Sequence, residues 1–109
     1  MTEEAGRKIL KQVFERAGLA ITEDFALADL QIRLDGYDPA RRVGYEFLTS
    51  EAGDRAEVTP PVVVELEARI RRGELAVLLI DEADVGDEAD LARGAEQFLA
   101  ILRQRGWLS

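Results

Sequence analysis

The sequence predicts a small α/β (α+β) domain spanning residues 1–109, in the order α-β-β-α-β-α. Its expected frame is a small mixed sheet, an antiparallel hairpin plus one parallel crossover strand, with helices packed on it. Three observations predict it. Apolar residues recur at helical spacing near both ends of the chain. Two stretches between residues 26 and 49 alternate apolar and polar with the period of a half-buried strand. A third stretch, Leu75–Asp81, follows a proline-started helix and is apolar on both faces.

Each element follows from local chemistry. Residues 3–17 place Ile9, Leu10, Val13, Phe14 and Ala17 on one stripe, Gly18 supplies a left-handed stop, and Leu19 supplies the apolar contact beyond it. In "ALADLQIRLD", Ala28, Leu30, Ile32 and Leu34 face one way and Asp29, Gln31, Arg33 and Asp35 the other. "GYDPAR" carries Asp38-Pro39, suited to a type I turn. "RVGYEFLT" is a second strand, with Val43, Tyr45, Phe47 and Thr49 on one face. Residues 50–58 read as a polar loop. In "TPPVVVELEARIRRG", Thr59 is an N-cap, Pro60 and Pro61 fit the first turn, and Gly73 ends the helix behind Arg69, Arg71 and Arg72. The order strand, helix, strand then implies a right-handed crossover to a parallel strand, Leu75–Asp81, expected to be central or well covered. The last helix starts at an Asp87 N-cap, carries Leu91, Ala95, Phe98, Leu99 and Leu102 on its stripe, and stops at Gly106 with Trp107 beyond.

Composition excludes whole classes of chemistry. The chain has no cysteine and no histidine. It therefore has no disulfide framework, no thiolate nucleophile, no Ser–His–Asp triad and no Cys/His zinc site. A net charge of −8 repels phosphate backbones at long range, which argues against nucleic acid as a partner. The start "MTEEAGRKIL" is acidic and lacks an apolar run after Arg7-Lys8, and no window holds 18 consecutive apolar residues. A cytoplasmic location and no membrane association are expected.

The stretch "LAVLLIDEAD" ends like the Walker-B strand of a DEAD-box helicase, a likeness we read as accidental. That chemistry needs a glycine-rich loop ending in Gly-Lys-Ser/Thr, and the only lysines, Lys8 and Lys11, lie in the first helix. The acidic letters serve structure instead: Asp81, Glu82 and Asp84 solvate a strand exit. Asp87, Glu88 and Asp90 sit at a helix start, where each negative charge gains about 0.3–1 kcal/mol. An EF-hand aligned on Gly86 fails because Ala83 and Val85 fall at ligand positions.

The hairpin holds the candidate site. Glu46 is a single carboxylate in an otherwise apolar strand, and with Asp35 it can hold Mg²⁺ through oxygens. The structural alternative is a cross-strand ion pair. If a turn at residues 38–41 joins Tyr37 to Arg42, Arg33 faces Glu46, Leu34 meets Tyr45 and Ile32 meets Phe47. The polar side, Asp29 to Asp35 plus Glu46, is then the exposed face of the sheet. The arginines at 41–42, 69–72 and 103–105 either converge on an anion or complement helix ends, and the second reading is preferred.

This element order resembles the core of the restriction-endonuclease-like, PD-(D/E)XK, superfamily over roughly residues 5–82. That family carries an Asp near one strand end and Glu-x-Lys on the next strand. Asp35 or Asp38 matches the Asp and Glu46 the Glu, but the lysine position is Leu48. The first strand of the family's meander is absent from the reading above unless "AITEDF" supplies it. The resemblance implies a catalytically dead or repurposed member with Asp35, Asp38 and Glu46 as residual ligands for a divalent metal such as Mg²⁺. The leading expectation is a non-catalytic protein-interaction or regulatory module, with a homodimer through a sheet edge or the open face as one form. The degenerate nuclease is the alternative, and a nucleotide-dependent enzyme the third reading.

Overall fold

The computed structural model describes residues 1–49 and 58–108. The expected loop at 50–58 lies, but for Val58, outside the described residues. The observed order is α1 (Glu3–Arg16), β1 (Thr22–Leu27), β2 (Ile32–Asp38), β3 (Val43–Leu48), α2 (Pro60–Arg71), β4 (Ala76–Asp81) and α3 (Glu88–Gln104), with a 3-10 turn at Glu82–Asp84 before α3. This is an α+β fold with one more strand than the sequence reading gave. The strands form one sheet in the order β1-β2-β3-β4, antiparallel except for the parallel β3–β4 pair.

Helix ends form where their chemistry dictates. Thr2 caps α1 by accepting the Ala5 amide at 3.1 Å, and Asp87 caps α3 by accepting the Asp90 amide at 2.8 Å. Thr59 takes the N-cap position of α2 with Pro60 and Pro61 behind it, but its hydroxyl makes no capping bond. Pro61 has no amide hydrogen to offer there. The three helices of the described residues close in the same way. Gly18, Gly73 and Gly106 adopt φ of 95°, 73° and 84°. The amides of Leu19, Glu74 and Trp107 then reach back to the carbonyls of Phe14, Arg69 and Leu102. That is the Schellman closure expected from glycine followed by a docking residue.

The sheet is sandwiched. On one face, Leu10, Val13 and Phe14 of α1 and Leu91, Ala95, Leu99 and Leu102 of α3 pack with Val43, Tyr45, Phe47 and Ala76. Burying Phe14 completely contributes about 1.5–3 kcal/mol, before any gain from its tilted contact with Tyr45 at 4.8 Å. Gly6 lets α1 settle on β3, because a Cβ there would enter the Phe47 ring. On the other face, Leu66 of α2 packs with Ile32, Leu34, Tyr37, Leu75 and Val77. Leu66 is the one fully buried residue that α2 contributes, and Val64 is 63% exposed.

Three expectations are corrected. The alternating stretch 26–35 is not one strand: β1 ends at Leu27, residues 28–31 turn, and β2 starts at Ile32. Gln31 supplies the turn's left-handed residue (φ 57°), and Leu30 folds back onto the Ile32–Leu34 cluster, so the apolar pattern runs unbroken through a reversal. β4 is a strand packed on both faces, as expected, but lies at the sheet edge rather than its centre. The β2–β3 turn is Pro39–Arg42 rather than 38–41, with Arg42 left-handed at φ 62° and its amide donating to the Asp38 carbonyl at 2.6 Å. That shift moves the hairpin register by two: Gly36, not Leu34, faces Tyr45.

Candidate functional site

The new register decides the fate of the hairpin carboxylates. β2 and β3 pair through Asp38↔Val43, Tyr37↔Gly44 and Gly36↔Tyr45. One step further along, Asp35 stands opposite Glu46, and side chains replace the ladder. The Asp35 amide donates to Glu46 Oε1 at 3.2 Å, and the Phe47 amide donates to Asp35 Oδ2 at 2.7 Å. Two backbone donors that β pairing would send to carbonyls are met by carboxylate oxygens instead. Both acids are buried, Asp35 at 6% exposure and Glu46 at 1%. Of the polar face expected to be exposed, Asp29, Gln31 and Arg33 are exposed while Asp35 and Glu46 are buried, and Arg33 does not face Glu46. Arg33 is exposed and paired with Ala26.

The alternation of the strand breaks here, with two consecutive residues turned to one side. Leu34 and Tyr37 belong to the α2-side core, whereas Asp35 reaches Arg7 of α1 and Gly36 abuts Tyr45. Gly36 has no alternative, since a Cβ would overlap the Tyr45 ring end and hydroxyl. In β1, Asp24 adopts φ 51° between the pairs Glu23↔Gly36 and Phe25↔Leu34, so the disturbance crosses three strands.

Arg7 closes the site. Its Nη2 donates to Asp24 Oδ1 at 2.9 Å and its Nε lies 3.5 Å from Asp35 Oδ1. Burial alone would lower the Arg7 pKa, but the Asp24 hydrogen bond and the charges of Asp35, Asp24 and Glu3 outweigh it and raise it further. A permanent cation thus stands beside the buried carboxylate. The Tyr45 phenol below is pushed well up, by burial first and by the charges of Glu23, Asp35 and Glu15, with Arg7 opposing. Its hydroxyl is buried with no hydrogen-bond partner among the described residues.

Asp38 stands apart from this pair. Oδ1 accepts the amides of Ala40 (3.0 Å) and Arg41 (3.1 Å), and Oδ2 accepts the Ala20 amide (2.9 Å) and the Arg41 guanidinium (3.2 Å). Burial would raise its pKa, but these bonds to the ionised form win and hold it below the usual aspartate value. So the three candidate metal ligands separate: Asp35 and Glu46 share a seam, while Asp38 organises the turn and ties it to the end of α1. Among the described residues no group of three or more acidic side chains converges as a metal cage.

Several of the other singled-out groups are likewise engaged. Asp81 accepts the Ala83 amide at 2.9 Å, and Asp90 accepts the Gly86 amide at 3.0 Å and pairs with Arg93. Arg69 bridges Asp29 (2.7 Å) and Glu65 (3.1 Å), and Arg72 pairs with Glu74. Arg42 donates to the carbonyls of Gly73 (3.4 Å) and Glu74 (3.0 Å) at the end of α2, and its guanidinium lies 5.3 Å from the Trp107 ring centre. Arg7 was not picked as a site residue in the sequence reading. Its signal was the neighbouring Gly6, because a glycine inside a helix marks a close approach and so places the next residue against the sheet. Among the described residues no helix is long and apolar enough to cross a membrane. No family model, curated protein or solved structure matches this chain.

Proposed function

We propose that this chain is a non-catalytic interaction or regulatory module whose hairpin acids are structural. One observation carries the reading: Asp35 Oδ2 and Glu46 Oε1 accept backbone amides across the β2–β3 seam, with the Arg7 guanidinium beside Asp35. A carboxylate that completes a ladder cannot leave it for a metal or a proton transfer without stranding a buried amide, at a cost of about 1–3 kcal/mol. The absence of histidine and cysteine from the sequence points the same way.

A second reading is favoured by β1. With it the element order becomes α-β-β-β-α-β, the meander of the restriction-endonuclease-like frame, with Asp35 on the second strand and Glu46 on the third. In this reading the frame is nuclease-like and its metal chemistry is lost. Arg7 supplies a fixed positive charge next to Asp35, and Leu48 stands where that family has lysine.

A thermal-shift series with millimolar Mg²⁺ and Mn²⁺ separates the proposal from a working metal site. A cation at ten times its Kd would stabilise the fold by about 1.4 kcal/mol, a rise of several degrees in a domain this small. We expect no rise in the native chain or in Glu46→Ala. A saturable rise that Glu46→Ala removes would overturn the proposal, as would metal-dependent cleavage of DNA or RNA.

A further inference from the structure

The sheet has two edges, and only one is defended. β1 shows solvent Thr22, Glu23, Asp24 and Ala26, with a left-handed residue in its middle and bridges from Arg7 and Lys11 to its acids. Charge and irregularity of this kind prevent strand addition. β4 has neither. Over Ala76–Ile80 it carries no charge, proline or glycine, and among the described residues no strand pairs with its outer side. The Ala76 amide donates to Arg42 O on the β3 side at 2.9 Å. Backbone groups alternate along a strand, so Val77, Leu79 and Asp81 turn theirs outward.

We infer that β4 pairs antiparallel with β4 of a second copy of this chain, giving a continuous eight-stranded sheet. This deepens the module reading by naming its partner. Three features favour a second copy over another protein. First, the strand is charged oppositely at its ends. Its start lies by a hollow lined by Arg41, Arg42 and Arg105, and its end by Asp81, Asp84 and Asp90, with Arg93 among them. Antiparallel pairing sets each acidic end beside the other copy's basic end, twice over. Second, the outward groups fit a two-fold axis at Leu79: Leu79 pairs with its own equivalent and Val77 with Asp81, so every outward donor meets an outward acceptor. Third, that register puts Leu78 opposite the second copy's Ile80. Both are half-buried and line a groove of about 340 Å³ between β4 and α3.

Sedimentation equilibrium on the full chain, from micromolar to millimolar, should move from the 12.1 kDa monomer mass to twice that. Amide exchange at Val77 and Leu79 should slow at least tenfold over the same range, while Ala26 on β1 stays unchanged. The chain has no cysteine, so Leu79→Cys places a single thiol on the axis. Paired Cα atoms of about 5.5 Å fall within disulfide reach, so mild oxidation should cross-link most of it and little of Ala26→Cys. A monomer at millimolar concentration overturns the inference, as does a dimer whose Val77 and Leu79 amides are not protected. Either result leaves the structural reading of Asp35 and Glu46 standing, and metal-dependent cleavage by a β4-paired dimer would do the reverse.

Discussion

β3 is paired on both sides, and its two seams are built on opposite principles. Toward β4 the ladder is parallel, unbroken from Val43↔Ala76 to Leu48↔Asp81, and apolar except for Glu46 and Asp81. Toward β2 three regular pairs give way to a stretch in which the carboxylates of Asp35 and Glu46 accept backbone amides. The apolar seam tolerates truncation in proportion to the area lost. The polar seam concentrates its stability in a few atoms, because each missing acceptor leaves a buried donor with nothing to meet. A buried acid is thus no sign of chemistry by itself; what its oxygens accept decides.

The sharpest test of that contrast is Asp35→Ala. It strands the Phe47 amide and removes the carboxylate beside Arg7, and should cost about 3 kcal/mol in chemical denaturation. Leu79→Ala on the other seam removes the same number of heavy atoms, but half-buried apolar ones, and should cost under about 2 kcal/mol. If the order reverses, the seams do not differ as described. Next comes Gly36→Ala, whose methyl must displace Tyr45. A loss of about 1–3 kcal/mol is expected, where the same change at a roomy strand position would be near neutral.

Asp38 gives the pH signature. Its pKa is held below the usual aspartate value, so its contribution is present above about pH 4 and drains away as pH falls through the lower native value. Urea midpoints between pH 2 and 7 should show that acid-side slope in the native chain and a shallower one in Asp38→Asn, which should also lose about 1–2 kcal/mol at neutral pH. Smallest of all is Glu23→Gln on β1. Its 3.9 Å pair with Lys11 is exposed, and stability should stay within about 0.5 kcal/mol. A larger change would mean that the β1 edge is held together by charge as well as defended by it.

The helices, β3 and β4 were legible because their signals are local. Glycines 18, 73 and 106 stop helices through their own φ, and the apolar stripes follow the helical period. β1 was not legible, because "TEDFAL" carries two acids and its turn contains neither glycine nor proline. Gln31 takes the left-handed position with a local bond from its amide to the Ala28 carbonyl. The site acids Asp35, Asp38 and Glu46 were picked out for good reason, since carboxylates in apolar strands must be satisfied. Their partners were missed through a single turn residue. Placing the turn at 38–41 instead of 39–42 slid the register by two and gave Glu46 the wrong neighbour, Arg33. The period of a strand constrains which face a residue takes, whereas the opposing residue depends on turn geometry.

Arg42 joins parts of the chain that are distant in sequence: a left-handed turn residue whose guanidinium holds the carbonyls of Gly73 and Glu74 just past α2 and lies against Trp107 just past α3. Because that indole is the molecule's lone tryptophan, its emission reports on one junction where hairpin, crossover and C-terminal helix meet. A fluorescence change that precedes the loss of helical dichroism on heating would show this junction loosening before the rest of the protein melts, with no label added.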